Sequence, residues 1–520
     1  MSSAGSVALV LHAHLPFVRH PEHAEFLEED WLFEAITETY IPLILMMQRL
    51  LRDRVPFRLT MSITPTLCAM LQDELLRARY VRHLERLIEL AACEIERHQH
   101  HAQLRELAEF YHTNFSDCRR RFVDEWQCDL LRPFRELRNS GCLELIASAA
   151  THGLLPLLQQ SPEAVRAQIL IGCDSYRAAF SDDPRGFWLP ECAYVADLEN
   201  ILQEANLRWF ILDAHGLMFG RPRPRRAVYA PCYTASGPAA FARDRASSRQ
   251  VWSAEEGYPG DPTYREFYRD IGFDLQTAES RKFTGIKYHR VTGREGEKEL
   301  YDRHAIEPVA DAQATHFLNA RRTQINELRA LDFDPIIVAP FDAELFGHWW
   351  FEGPRFLELF IRKAASDQND FSLTTPTDFL ARHPTQQTIA PAASSWGDQG
   401  YLEVWLNETN AWIYPHLHAA AQRMIAVASA QPSDPAALPD RVLKQLAREL
   451  LLAQSSDWAF LMKTGTARNY ATKRTTDHLL RFDRLHDQFV RGHLDEHFLT
   501  DCEARDNIFP DVNWRYYIRR

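Results

Sequence analysis

The sequence predicts an α/β fold, a parallel sheet covered by helices on both faces, followed by a helical C-terminal region. Three observations carry this. Short β-rich runs recur up to about residue 376, segments of helical periodicity separate most of them, and no strand pattern appears beyond about residue 403. Strands that alternate with helices pair in parallel, and runs apolar on both faces need cover on both.

In chain order the candidate strands are SVALVLHAHLPF (6 to 17), VPFRLTMSITP (55 to 65), CLELIASAAT (142 to 151), GFWLPE (186 to 191), RWFILDA (208 to 214), PIIVAPFDAE (335 to 344) and FSLTTP (371 to 376). Each is bounded by turn or polar residues. Between them, stretches such as 31 to 51 and 80 to 98 repeat apolar residues at helical spacing. The segment from 215 to 330, which opens on RPRPRR (221 to 226) and includes GREGEKE (293 to 299), breaks the alternation and reads as an inserted subdomain within a catalytic unit of residues 1–402. Its basic run reads as a solvated loop, with a phosphate or polymer contact as the alternative. From 403 to 520 the pattern is helical, interrupted by the linker QPSDPAALPD (431 to 440).

At 520 residues the chain exceeds what one core usually supports, so an enzyme-sized domain with an accessory one is expected. A net charge of −12 argues against nucleic acid or an anionic membrane as partner. No run approaches the length of a membrane span, and Val7 to Leu11 is too short and lacks the flanks of a signal peptide. A soluble, cytoplasmic protein is expected. The nine cysteines are odd in number, scattered, and never spaced Cys-x-x-Cys, which suits reduced packing residues.

Catalytic groups of an α/β barrel stand where strands end, so polar residues there are the candidates. His12 and His14 close the first strand two apart and share its side. They fit a divalent-metal pair, with His152 or Asp342 as further ligands, or a polar pocket for substrate hydroxyls, or structural histidines. Glu191 ends the fourth strand against Phe187, Trp188 and Pro190, where desolvation raises a carboxyl's pKa unless donors hold the anion. Asp197, not Glu191, is placed to cap the helix that follows. Asp342 ends the sixth, with Glu344 on its face, Gly347 for a turn, then His348, Trp349 and Trp350. Two carboxylates from different strand ends among aromatics suit glycosidic-bond chemistry: one attacks the anomeric carbon, the other moves the proton. Trp396 is a candidate sugar platform. Trp405 and Trp412, seven apart, read as core positions of one helix. Asp457, in SSDWAFLMKTGT (455 to 466), is an odd charge for a helical region unless it faces the cleft.

Together HAHLPF, GCLELIASAATHGLLPL, GFWLPECAY, APFDAELFGHWW and SSWGDQGYLEVWLN resemble the five ordered motifs of glycoside hydrolase family 57, most closely its 1,4-α-glucan branching enzymes. The resemblance also covers 250 to 274 and the helical tail. It implies a distorted (β/α)7 TIM-like barrel with an inserted subdomain and a C-terminal α-helical domain, acting on α-glucan by a retaining mechanism with no metal or other cofactor. On the matching positions Glu191 would be the nucleophile and Asp342 the proton donor and base. His12, His14 and His152 would hold the sugar, and Trp396, Asp457, Trp405 and Arg265 would bind the glucan. Branching relatives carry a loop tyrosine needed for transfer, and Tyr233 in APCYTASGPAAFARD (230 to 244) occupies that region. IGFD departs from the pattern, with Phe273 where many relatives carry tryptophan.

Retention implies carboxyl groups about 5 to 5.5 Å apart. A nucleophile must be ionised, so Glu191 is expected to accept hydrogen bonds from a neighbour such as a histidine or arginine. The rival readings are a hydrolase or 4-α-glucanotransferase of the same family, a metal-dependent hydrolase or deacetylase, and a glucan-binding protein without catalysis.

Overall fold

The computed structural model describes residues 5–253, 256–275, 283–292, 297–432 and 435–519. Part of the GREGEKE run lies outside them. The strands are β1 Ser6–Ala13, β2 Leu59–Ile63, β3 Leu143–Ser148, β4 Gly186–Trp188, β5 Trp209–Leu212, β6 Cys232–Tyr233, β7 Ala239–Ala242, β8 Ile336–Asp342, β9 Ser372–Leu373 and β10 Gln387–Thr388. They lie in the order β10-β6-β7-β5-β4-β3-β2-β1-β8, with β9 beside the start of β1. From β7 to β8 every neighbour is parallel. A parallel bridge from Arg243 to Val338, with Asp244 N–H donating to the Val338 carbonyl at 2.8 Å, joins the two ends and curls the sheet into a barrel.

Six of the seven expected strands supply the barrel. The seventh, 371 to 376, gives only the two-residue β9, and the place it was expected to fill is taken by β7. β7 therefore belongs to the barrel although it falls inside 215 to 330, and the helix Ile306–Arg329 in that span leads directly into β8. Ala-Ala-Phe-Ala has no β-branched residue, so local propensity gives no strand signal. Its pairing with β5 makes the strand.

Alternation along the strands fills the barrel. Ala8 and Val10 of β1, Ile146 of β3, Trp188 of β4, Trp209 and Ile211 of β5, Phe241 of β7 and Ile336 and Val338 of β8 form one buried cluster. Val7, Leu9 and Leu11 face the other way, into the core beneath the helices. A Cβ on Gly186 would lie 2.2 Å from the Trp209 ring, so only glycine lets that indole into the interior. His12 and Asp342 share the parity of the interior residues, and register sets them side by side on β1 and β8.

Beyond residue 403 the described residues contain no strand. The helices are Ile413–Ser429, Ala437–Ala453, Ser456–Thr464, Arg468–Arg491 and Glu496–Arg505. No helix among the described residues is long and apolar enough to cross a membrane.

Candidate active site

Because the principal strands are parallel, their C-terminal ends lie at one end of the barrel, and each is followed there by a polar group. These are His12 and His14 at β1, Thr64 after β2, His152 after β3, Glu191 after β4, Asp213 after β5, Arg243 after β7 and Asp342 closing β8. The N-terminal turn of the helix Ser456–Thr464 comes over this face, with Ser456 N–H donating to the His152 carbonyl at 3.0 Å.

Glu191 has backbone φ 60° and ψ 23°, the left-handed region, at a cost on the order of 1–3 kcal/mol for a non-glycine residue. Pro190 ahead of it and the Trp396 N–H bond to its carbonyl, 3.0 Å, hold the turn. Its side chain accepts from Trp396 Nε1 at 3.0 Å on Oε2 and from Ser456 Oγ at 2.9 Å on Oε1. His152 Nδ1 is 3.6 Å away. Burial raises the Glu191 pKa, while the Trp396 and Ser456 bonds and the His14 charge limit the rise. The donors are thus an indole and a hydroxyl, where a histidine or arginine was expected. Asp197 stands at the N-cap of the next helix, but its side chain makes no capping bond.

Asp342 is pushed further. Burial, the Glu344 charge and the Glu191 charge hold its carboxyl well above the usual range, and Arg243 opposes them. Glu344 reaches about 7 through burial, although Tyr40 OH (2.6 Å) and His14 N–H (3.1 Å) both donate to its Oε1. Gly347, at φ 124°, brings this loop against the Glu38 carbonyl, which a Cβ would approach to 1.8 Å.

His12 Nε2 lies 3.0 Å from His152 Nε2, and His152 Nδ1 lies 2.9 Å from Ser456 Oγ. His14 is held at Nδ1 by Thr64 Oγ1 (3.0 Å) and at Nε2 by Asp457 Oδ2 (3.0 Å), which also accepts from Ser455 Oγ (2.5 Å). Burial, then the charge of His14, push His12 and His152 well below the usual imidazole range, so both are neutral. For His14 burial acts the same way, but the Asp457 charge and hydrogen bond outweigh it and its pKa is raised. One nitrogen of each imidazole lies within 4.8 Å of the others, the spacing of a metal set. Yet the His14 and His152 rings stack at 3.9 Å and 20°, so their lone pairs lie in nearly parallel planes one above the other, a poor arrangement for two ligands of one ion. His12 lies flat on Trp188, 4.3 Å between ring centres at 7°.

The other expected site residues divide. Trp396 and Asp457 join the cluster. Trp405 does not: it is 2% exposed, part of the core, and its Nε1 has no partner among the described residues. Nor do Trp405 and Trp412 share a helix, because 401 to 412 is turns and the helix begins at Ile413. Arg265 is spent elsewhere, paired with buried Glu38 at 2.7 Å and stacked 3.9 Å over the Phe351 ring. Tyr233 lies at the other end of the barrel. It pairs with Ala239, the first residue of β7, and its OH donates to the Pro384 carbonyl at 3.1 Å. Phe273 is half exposed and edge-on to Phe283. Ser456, Thr64, Tyr40 and Arg243 were not anticipated. The only signal for Ser456 was its place beside Asp457.

Comparison with known proteins gives the family. The model of glycosyl hydrolase family 57 matches residues 8–391, and a model described as the C-terminal part of 1,4-α-glucan branching enzymes matches 416–517. A 1,4-α-glucan branching enzyme of Thermococcus kodakarensis is 35% identical, the match covering 98% of this chain and 78% of that one. Among solved structures, the chain is similar to the α-amylase AmyC of Thermotoga maritima (44% identity, TM-score 0.93, 99% of each chain). It is also similar to a family 57 branching enzyme of Pyrococcus horikoshii (35% identity, TM-score 0.90, 99% of this chain and 97% of that one). With the family model spanning well over half of its length, the chain belongs to glycosyl hydrolase family 57.

Proposed function

We propose that this protein is a 1,4-α-glucan branching enzyme that works by double displacement. The observation that carries the reading is the unequal environment of two carboxyl groups, one after β4 and one closing β8, on the same end of the barrel. Glu191 has two donors aimed at its oxygens, which favour the anion, whereas burial and two like charges favour the protonated form of Asp342. Environments that push two carboxyl groups apart divide acid from base.

In the first step a Glu191 oxygen attacks the anomeric carbon while Asp342 gives its proton to the glycosidic oxygen, and the reducing-end fragment leaves with a 4-hydroxyl. In the second, ionised Asp342 takes the proton of an acceptor 6-hydroxyl, whose oxygen attacks the same carbon and displaces Glu191 as a carboxylate. Two inversions give retention. His12, His14 and His152 would hold the sugar at the cleavage point, with Trp396 and Asp457 at its rim. The match of the helical region to the branching-enzyme model supports transfer in place of hydrolysis. Nine free cysteines support a reducing, cytoplasmic setting.

A second reading, α-1,4 hydrolysis, is favoured by Tyr233 lying away from the site and by the similarity to a structure described as an α-amylase. Incubation with amylose separates the two. New α-1,6 linkages with little gain in reducing ends support branching, and reducing ends without branches support hydrolysis. Glu191→Gln should lose at least about a thousandfold in either activity with the fold intact.

A further inference from the structure

We infer that Ser456, carried by the helical region, is a positioning residue for Glu191, and that it is oriented by a one-way hydrogen-bond chain from His12 through His152. The inference rests on Glu191 being the nucleophile. It follows from counting protons along four groups.

An ionised carboxylate only accepts, so Ser456 must spend its one hydroxyl proton on Glu191 Oε1, at 2.9 Å. Ser456 Oγ can then meet His152 Nδ1, 2.9 Å away, only as an acceptor, and His152 must carry its proton on Nδ1. A neutral imidazole protonated at Nδ1 has a bare lone pair at Nε2. The 3.0 Å contact to His12 Nε2 is therefore a bond donated by His12. That leaves His12 Nδ1 without a proton. Nδ1 is a buried atom with no partner among the described residues, so this direction places a lone pair there and strands no N–H. The reverse direction would aim the hydroxyl proton away from Glu191 and leave that carboxylate oxygen to a lone pair.

The chain also has a fixed frame. His12 is clamped flat on Trp188, and Ser456 is tethered by its own N–H to the His152 carbonyl. The helix that carries Ser456 presents its N-terminal turn here, and its dipole favours negative charge. The same donor stabilises Glu191 again when it leaves as a carboxylate in the second step. The helical region thus contributes a group that favours the ionised form of a barrel residue.

The test is Ser456→Ala alongside Ser456→Thr, with melting temperature checked for both. The acidic limb of kcat/KM against pH reports the ionisation of the free nucleophile. In Ser456→Ala that limb should move to higher pH by about one unit or more, with a loss of about ten- to a hundredfold at neutral pH. Ser456→Thr, which keeps the hydroxyl, should restore both. An Ala variant with an unmoved limb, or a Thr variant no better than Ala, overturns the inference. Glu191→Gln run beside them separates the readings: if it stays active, the assignment of Glu191 fails. The tautomers have an independent readout in imidazole ¹⁵N resonances, assigned by the loss of a signal in His152→Gln. A proton on His152 Nδ1 is expected, and one on Nε2 overturns the chain.

Discussion

His14 and Asp457, 443 positions apart, form an ion pair with Nε2 3.0 Å from Oδ2, joining the end of β1 to the helical region. Burial disfavours the imidazolium, but the Asp457 charge and bond more than offset it, so the folded pKa of His14 lies above its unfolded value. The stabilisation is then complete below the unfolded value of about 6.5 and fades as pH rises through the folded one. Asp457→Asn should cost about 1–3 kcal/mol near pH 6 and less near pH 9. Thermal melts across that range check it, and a penalty that grows with pH would contradict the pairing.

Asp342→Asn should separate the two chemical steps. Burial, Glu344 and Glu191 hold the resting carboxyl well above the usual range, which favours its protonated form. An amide cannot protonate a leaving oxygen. Turnover of glucan should therefore fall by about a hundredfold or more, since general acid catalysis contributes on that order. An aryl α-glucoside whose phenolate leaves unaided should still form the glycosyl-enzyme, seen as a burst of phenolate. An absent burst would place the proton donor elsewhere.

Glu344→Gln tests the charge beside that acid. The Glu344 charge is the second largest cause, after burial, of the high Asp342 value. Glutamine removes the charge yet can still accept from Tyr40 OH and the His14 N–H, which hold the loop. The Asp342 pKa should then fall, and the alkaline limb of kcat/KM, which reports loss of the acid's proton, should move to lower pH. A limb that does not move would show that Glu344 is neutral in the working enzyme.

The strand-end rule made His12, His14, Glu191 and Asp342 legible, because a parallel sheet sends successive C-terminal ends to one face and the interior parity of each strand is written in its alternation. Two kinds of residue stayed hidden. β7 has no strand signal of its own and exists through pairing with β5. Ser456 reaches Glu191 across 265 positions, and no local pattern encodes such a contact. For Trp405 the spacing pointed to the core and only the resemblance pointed to the glucan, since an indole in an aromatic-rich segment reads alike in either place. Only burial decides, and at 2% exposure it is core.

Tyr233→Phe should leave the ratio of new branches to new reducing ends unchanged within about twofold. The tyrosine sits on β6, whose antiparallel pairing with β7 sets it level with Ala239, at the end of β7 remote from Arg243. Its hydroxyl is bonded to the Pro384 carbonyl, its backbone carbonyl accepts from Ile389 N–H, and its ring packs on the barrel interior from that end. To reach an acceptor sugar at Glu191, the short turn from Thr234 to Pro238 and the β6 pairings would have to come apart, losing several hydrogen bonds of about 0.5–1.5 kcal/mol each. Removing the hydroxyl should lower stability by about one such bond and nothing more. A fall in branching with hydrolysis retained would show that the strand does release during the cycle, and that this hydroxyl guards the glycosyl-enzyme against water.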